Sequence, residues 1–308
     1  MRIVVMGAGG VGGYFGGMLA AAGHDVAFVA RGAHLAALQR GGLRLTGPKG
    51  DVHVPTVRAS ADAGTLGSAD IVLFCVKLYD TESAAAAIGP AMSDTTRLIT
   101  LQNGVDGPER LARVLGAERV LGGAAMVSAV IAEPGVIRTV SQQGRIVFGR
   151  MDGRADALAE AFRDRCNASG FVAEIPADIT LQLWSKMVLL ATNAGMSAST
   201  RQPIRRTYDD PEMRQVAIAA LREGAQVARA LGVKLADDIV DKCAAQSSGF
   251  PPDMYASMYH DLKRGGRLEV DSLSGLIVRL GRQHGIPTPV HQALHAVLKP
   301  YQDGASAS

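Results

Sequence analysis

A run of glycines opens the chain and offers the first chemistry: Gly7-Ala8-Gly9-Gly10-Val11-Gly12 has the spacing G-x-G-x-x-G. It follows the β-branched run Arg2–Met6 and leads into Val11–Ala22, a segment of helical pattern rich in small residues. In that setting the first glycine permits a tight turn, the second lets backbone approach a pyrophosphate, and the third lets helix pack close on strand. The start of the helix then offers free N–H groups and a partial positive charge to an anion. Cofactor choice is read at the end of the second strand, Val26–Ala30. NAD enzymes usually carry a carboxylate there for the ribose 2′-hydroxyl; here the place belongs to Arg31, whose planar, permanently charged guanidinium suits a 2′-phosphate. The residues predict an NADP(H) site.

Two further polar residues stand just beyond apolar strand patterns, where ligands of open α/β sheets bind: Lys77 after Ile71–Val76 and Asn103 after Arg97–Leu101. Lys186, on the later helical segment Ile179–Ala198, reads by itself as an ordinary solvated helical lysine.

The elements that must position these residues follow from pattern. The first half alternates continuously apolar strands with helices at Ala33–Arg40, Thr81–Ile88 and Pro108–Leu115, which predicts a doubly wound, largely parallel sheet. Val120–Val127, Val136–Val140 and Arg145–Phe148 read as strands that extend or edge it, followed by a helix over Asp156–Ser169 and a last strand, Phe171–Ile175. Beyond Pro176 only helical spacing recurs, at Ile179–Ala198, Pro211–Leu231, Asp237–Gln246, Val270–His284 and Val290–Leu298. The expected architecture is a Rossmann-like dinucleotide-binding domain over 1–175 and an all-helical substrate and dimerisation domain over 176–308, with a ligand cleft between them. The tail Asp303–Ser308 is expected to fray.

Composition narrows the function classes. Of 308 residues, 47% are apolar and 20% charged, as in a globular protein with two ordinary domains. The net charge of +3 is spread out, with no basic stripe for nucleic acid. Cys75, Cys166 and Cys243 form no CxxC pair, so neither zinc nor a disulfide framework is expected, and reduced thiols fit the cytoplasm. The N-terminal apolar stretch breaks early into glycine, unlike a signal peptide, and no apolar run is long enough to span a membrane. His291 and His295 share a helix face at i, i+4, but lack the glutamate of HExxH and a third ligand, so no metal is expected. No G-x-S-x-G elbow marks a hydrolase.

Taken in order, Gly7–Gly12, Cys75-Val76-Lys77, Leu101-Gln102-Asn103-Gly104, Trp184-Ser185-Lys186, and Ser257 with Glu269 resemble the motifs of the ketopantoate reductase family over nearly the whole chain. The resemblance implies reduction of 2-dehydropantoate to pantoate by NADPH, a step toward coenzyme A. It implies Lys186 as proton donor and Asn103 near both nicotinamide and substrate. Lys77, Glu269 and, in a looser match, Ser128 become cofactor contacts, and Ser257 a contact to the substrate carboxylate. The pattern departs after Lys186. Family asparagines four and eight residues on are replaced by Leu190 and Ala194, and another by Ile204. Asn193 lies one position off, about 100° around the helix. Thr192, Asn193, Thr200 or Arg201 are the candidates to compensate, and a more apolar 2-oxo acid is the alternative substrate. The competing readings are a β-hydroxyacid dehydrogenase, which would run as an oxidation, and a non-catalytic NADPH-binding sensor. A homodimer is possible; no membrane or nucleic-acid partner is expected.

Overall fold

A computed structural model describes residues 1–305. The chain divides into two compact units, Met1–Gln182 and Leu183–Ser308. Sequence pattern put the boundary at 175/176; the division instead falls inside one long helix.

In the first unit the chain runs β1 (Arg2–Met6), α1 (Gly10–Ala21), β2 (Asp25–Val29), α2 (Gly32–Gly41), β3 (Leu43–Thr46), β4 (Val52–Val54), β5 (Arg58–Ser60), β6 (Ala69–Phe74), α3 (Thr81–Ile88), β7 (Met92–Thr100), α4 (Gly107–Leu115), β8 (Val120–Met126), β9 (Ala129–Glu133), β10 (Val136–Thr139), β11 (Arg145–Arg150), α5 (Ala157–Ala168) and β12 (Val172–Glu174). Eight strands form the main sheet in the order β12-β11-β8-β7-β6-β1-β2-β5. From β8 to β5 all neighbours are parallel, so their carboxyl ends share one edge; β11 pairs antiparallel with β8. The inner strands are continuously apolar because both faces are covered. Val4, Val72 and Leu98 face a layer with Ala84, Ala85 and Ile88 of α3 and Leu111 of α4, while Ile3, Val5, Leu73 and Ile99 join the opposite core with Phe162 of α5.

The remaining strands, β4-β3-β10-β9, make a second sheet, not an extension of the first. Val136–Val140 had been expected to join or edge the main sheet. Its apolar side chains pack instead on α1, whose glycines leave room: a Cβ on Gly13 would lie 2.6 Å from Ile137, and one on Gly17 2.9 Å from Leu43. Strands β3, β4, β5 and β9 escaped the sequence pattern because each is short and β9 is mostly exposed.

The second unit takes up α6 (Ile179–Thr200) after its first turn, then α7 (Ile204–Asp209), α8 (Pro211–Ala230), α9 (Ile239–Ser248), α10 (Ser257–Lys263), α11 (Ser274–His284) and α12 (Pro289–Leu298). Among its described residues there is no strand. α6 starts at an N-cap, Asp178, whose carboxylate accepts from the Leu181 N–H at 2.9 Å. Fully buried Val188, Ala191, Ala220, Leu221 and Ile277 form its interior, with Gly224 of α8 between Val188 and Ile277. Glu223 of α8 caps α12, accepting from the N–H groups of Val290 (2.8 Å) and His291 (2.9 Å). The tail was expected to fray from Asp303. Ala305 instead donates its N–H to the Gly265 carbonyl at 2.9 Å; residues 306–308 lie outside the described residues. No helix among the described residues is long and apolar enough to cross a membrane.

Candidate active site

All five candidate positions of the first unit stand at the carboxyl edge of the parallel strands. The phosphate loop follows β1, Arg31 follows β2, Lys77 follows β6, Asn103 follows β7 and Ser128 follows β8. Register brings their roots level: Met6 pairs with Val29 and with Phe74, and Phe74 pairs with Thr100. Strand order reverses at β1, between β2 and β6, the crevice where open α/β sheets bind ligands.

The loop is built for close packing below and an anion above. Gly7 has φ +98°, and its N–H and that of Ala8 both donate to the Val29 carbonyl at 3.2 Å. A Cβ on Gly12 would fall 2.2 Å from the Gly7 carbonyl oxygen, so the helix closes on the loop only because position 12 lacks one. At Gly9 nothing lies within 4 Å of a Cβ position. α1 then begins with no side-chain cap and no acidic residue in its first turn. Its leading N–H groups therefore have no side-chain cap competing for them and are suited to an anion. Arg31 is exposed, and its side chain has no hydrogen bond or ion pair among the described residues. These features fit a dinucleotide: glycine backbone for the pyrophosphate and an unpaired cation at the end of β2.

Gln102 had no role in the sequence reading, and the structure supplies one. Its amide nitrogen donates to the Val76 carbonyl (3.2 Å) and to the Thr81 hydroxyl (2.9 Å), and its oxygen accepts from the Thr100 hydroxyl (3.1 Å). The buried amide thereby ties the loop of Asn103 to the loop of Lys77. The signal lay in the type of residue, a glutamine ending an apolar strand, but the two partners of its amide nitrogen, Val76 and Thr81, are more than twenty positions away. Ser128 is held by its backbone: its N–H donates to Ser141 Oγ at 2.8 Å and its carbonyl accepts from the Thr139 hydroxyl at 2.9 Å. Its own hydroxyl has no partner among the described residues.

The second unit carries Lys186, the residue expected to be the proton donor. Lys186 sits two turns into α6, half-buried at the surface of its helix. Burial pushes its ammonium down to about 8, and the negative charge of buried Glu269 pulls the other way. Sequence separated the two by more than eighty positions; the fold makes them a charge pair. Desolvation outweighs attraction, so the ammonium releases its proton closer to neutral pH than a solvated lysine does.

Ser257 begins α10, exposed, with a hydroxyl that has no partner among the described residues. Tyr255 and Tyr259 on either side of it stack at 4.1 Å. Asn193 was expected to contact substrate, and its amide is committed elsewhere. Its nitrogen donates to Ser247 Oγ (2.9 Å) and its oxygen accepts from the Tyr208 hydroxyl (2.9 Å), all within the helical core. Two of its companions are similarly engaged. The Thr200 hydroxyl bonds back to the Met196 carbonyl, and Arg201, at φ 60°, caps the Ala198 and Ser199 carbonyls. The Thr192 hydroxyl is buried with no hydrogen-bond partner among the described residues. Ala194 and Ile204 are buried, and Leu190, one turn beyond Lys186, is half-buried. His291 and His295 do not face a common point: His291 is bound to Ser274 and the Ala220 carbonyl, His295 to Asp271.

The glycine loop on a doubly wound sheet fits a dinucleotide-dependent oxidoreductase. Comparison with known proteins sharpens the class. The family model "Ketopantoate reductase PanE/ApbA" matches residues 3–153, and "Ketopantoate reductase PanE/ApbA C terminal" matches residues 178–302. The chain belongs to the ketopantoate reductase family. It is 33% identical over 298 residues to the 2-dehydropantoate 2-reductase of Halobacterium salinarum, covering 96% of each chain. It is likewise 33% identical to that of Archaeoglobus fulgidus, covering 98% of each. The crystal structure of a PanE/ApbA family ketopantoate reductase from Ralstonia eutropha superposes with TM-score 0.90 at 36% identity, covering 98% of each chain.

Proposed function

We propose that this protein reduces the keto group of a small 2-oxo acid with NADPH, and that 2-dehydropantoate is the first substrate to test. The observation that carries the reading is half-buried Lys186, whose ammonium desolvation brings down to about 8 against the pull of Glu269. When bound, the nicotinamide cofactor supplies the hydride. The chain's own residues do the rest. The α1 N-terminus and the glycine loop hold pyrophosphate, and Arg31 takes the ribose 2′-phosphate. Lys77 and Ser128 hold the cofactor further along the strand ends, and Asn103 orients nicotinamide and keto group. Lys186 donates to the keto oxygen, stabilises the alkoxide as charge develops, and gives it the proton from Nζ. Ser257 offers a free hydroxyl to the carboxylate. Glu269 keeps Lys186 protonated. A homodimer belongs to the same proposal and is checked by light scattering.

A second substrate reading rests on Leu190, Ala194 and Ile204. Sites that hydrogen-bond a substrate hydroxyl discriminate strongly through that bond, and apolar residues here favour a less polar 2-oxo acid. Purified protein is mixed with NADPH and 2-dehydropantoate while absorbance of the reduced nicotinamide is followed, with NADH, branched 2-oxo acids and Lys186→Ala as controls. Rapid oxidation that is lost in the variant supports a ketopantoate reductase. Preference for branched acids supports the second reading. Tight NADPH binding without turnover of any keto acid would refute both and favour a sensor.

A further inference from the structure

The joint between β8 and β9 brings the second sheet against the phosphate cradle. Glycines of α1 face that sheet along the helix: a Cβ on Gly13 would meet Ile137 of β10, and one on Gly17 would meet Leu43 and Leu45 of β3. The same close packing continues to Gly10, which opens α1 inside the glycine loop. A Cβ there would fall 2.0 Å from the carbonyl oxygen of Ala129, the first residue of β9. The backbone of β9 therefore rests directly on the end of α1 that the glycine loop offers to a pyrophosphate. Ser128 is one peptide away, about 3.8 Å between Cα atoms. Both of its peptide groups are held. The Ser128 N–H donates to Ser141 Oγ at 2.8 Å. The Ser128 carbonyl accepts from the Thr139 hydroxyl at 2.9 Å and from the Val140 N–H at 3.1 Å. The Ser141 N–H donates in turn to Thr139 Oγ1 at 3.1 Å, which closes a ring of hydrogen bonds through Ser128, Thr139 and Ser141. Just beyond, the Gly144 N–H donates to the Tyr14 hydroxyl of α1 at 3.1 Å, so the segment that carries Ser141 is itself tied to the helix.

We propose that Ser141 is a positioning residue for the dinucleotide, acting through Ser128: its hydroxyl fixes the β8–β9 joint so that the Ser128 hydroxyl meets the bound cofactor beside the start of α1. The inference rests on the reading of Ser128 as a cofactor contact made above. The Ser128 hydroxyl has no partner among the described residues, and with both neighbouring peptide groups fixed only its side-chain rotation is left to order on binding. Pre-organisation of this kind lowers the entropy cost of the contact. Without the Ser141 hydroxyl the Ser128 N–H loses its acceptor, and the joint is held from its carbonyl side alone. The parts of the cofactor that lie at the start of α1 are common to NADPH and NADH. Ser141 therefore sets affinity for both alike, in contrast to Arg31 at the end of β2, and leaves the proton step to other residues.

The test uses the full chain and titrates NADPH and NADH by fluorescence in the wild type, Ser128→Ala, Ser141→Ala, Ser141→Thr and the double variant Ser128→Ala/Ser141→Ala. Ser128→Ala should weaken both cofactors by about tenfold, as expected for one lost hydrogen bond. Ser141→Ala should weaken both by about fivefold, with their ratio unchanged within about twofold. Ser141→Thr keeps the hydroxyl and should bind within about twofold of the wild type. The double variant should be no more than about twofold weaker than Ser128→Ala, because Ser141 acts only through the hydroxyl already removed. A general loosening of the fold would instead cost the same factor whether or not that hydroxyl is present. Ser141→Ala binding like the wild type, or its full effect persisting in the Ser128→Ala background, overturns the inference and leaves the Ser128 contact standing. If Ser128→Ala itself binds both cofactors like the wild type, the reading of Ser128 fails and takes this inference with it.

Discussion

Replacing Glu269 with Gln should shift the basic limb of the pH–rate profile toward acid. Lys186 titrates at about 8 because burial outweighs the pull of Glu269. The charged form bears the proton, so it is full below that value and lost as pH rises through it. Removing the carboxylate leaves desolvation unopposed, and losing an opposite charge at such a site moves a cation by about one unit, to roughly 7. At pH 7.5 the protonated fraction then falls from about three-quarters to about one-quarter, a loss of about threefold. At pH 8.5 the loss grows to about eightfold, and at pH 6 the two proteins differ by about 10%. The assay is kcat/KM for the keto acid at saturating NADPH from pH 5.5 to 9.5, which also removes any effect of Glu269 on cofactor affinity. Lys186→Arg serves as control, since a guanidinium stays charged throughout and should leave no basic limb. A limb in the same place in the wild type and Glu269→Gln, or one that survives in Lys186→Arg, refutes the assignment of Lys186 as the acid.

The other expectations are simpler. Lys186→Ala should lower kcat by about 10²- to 10⁴-fold with NADPH binding retained, measured by initial rates and fluorescence titration. Arg31→Ala should erase the preference for NADPH over NADH, read as the ratio of their dissociation constants. Gly12→Ala drives a methyl to 2.2 Å from the Gly7 carbonyl, so the loop must open; a cost of about 1–3 kcal/mol and loss of dinucleotide binding are expected by denaturant titration. Asn193→Ala strands the Ser247 and Tyr208 hydroxyls and should cost roughly 2–4 kcal/mol, with KM for the keto acid within about threefold. A large rise in KM at unchanged stability would return Asn193 to the substrate.

Local signals carried far into this molecule. The phosphate loop was legible because its requirements are those of single residues: a turn at Gly7, a close approach at Gly12, a free helix start at Gly10. Arg31, Lys77 and Asn103 were legible because strand ends in a parallel sheet fall on one edge whatever the details of packing. Long helices such as α6 and α8 announced themselves by period. The helical order of the second unit followed from the same pattern, apart from the short α7 and α10.

Tertiary structure decided what depends on distant partners. Val136–Thr139 has the alternation of any strand; only the glycine face of α1 drew it into a second sheet. Gln102 reads as a loop residue until the fold brings Val76 and Thr81 to its amide. Asn193 looked available to substrate until Ser247 and Tyr208 took its hydrogen bonds. Lys186 alone is an ordinary helical lysine, since its proton affinity is set by burial and by Glu269, neither of which leaves a mark in local sequence. The sequence thus determined the cradle, because short-range sterics and periodicity encode it, while Lys186 stood out only through the resemblance of the whole motif set to a known family. The strength of that acid is a matter of desolvation and charge across the fold, and those are properties of the packed structure.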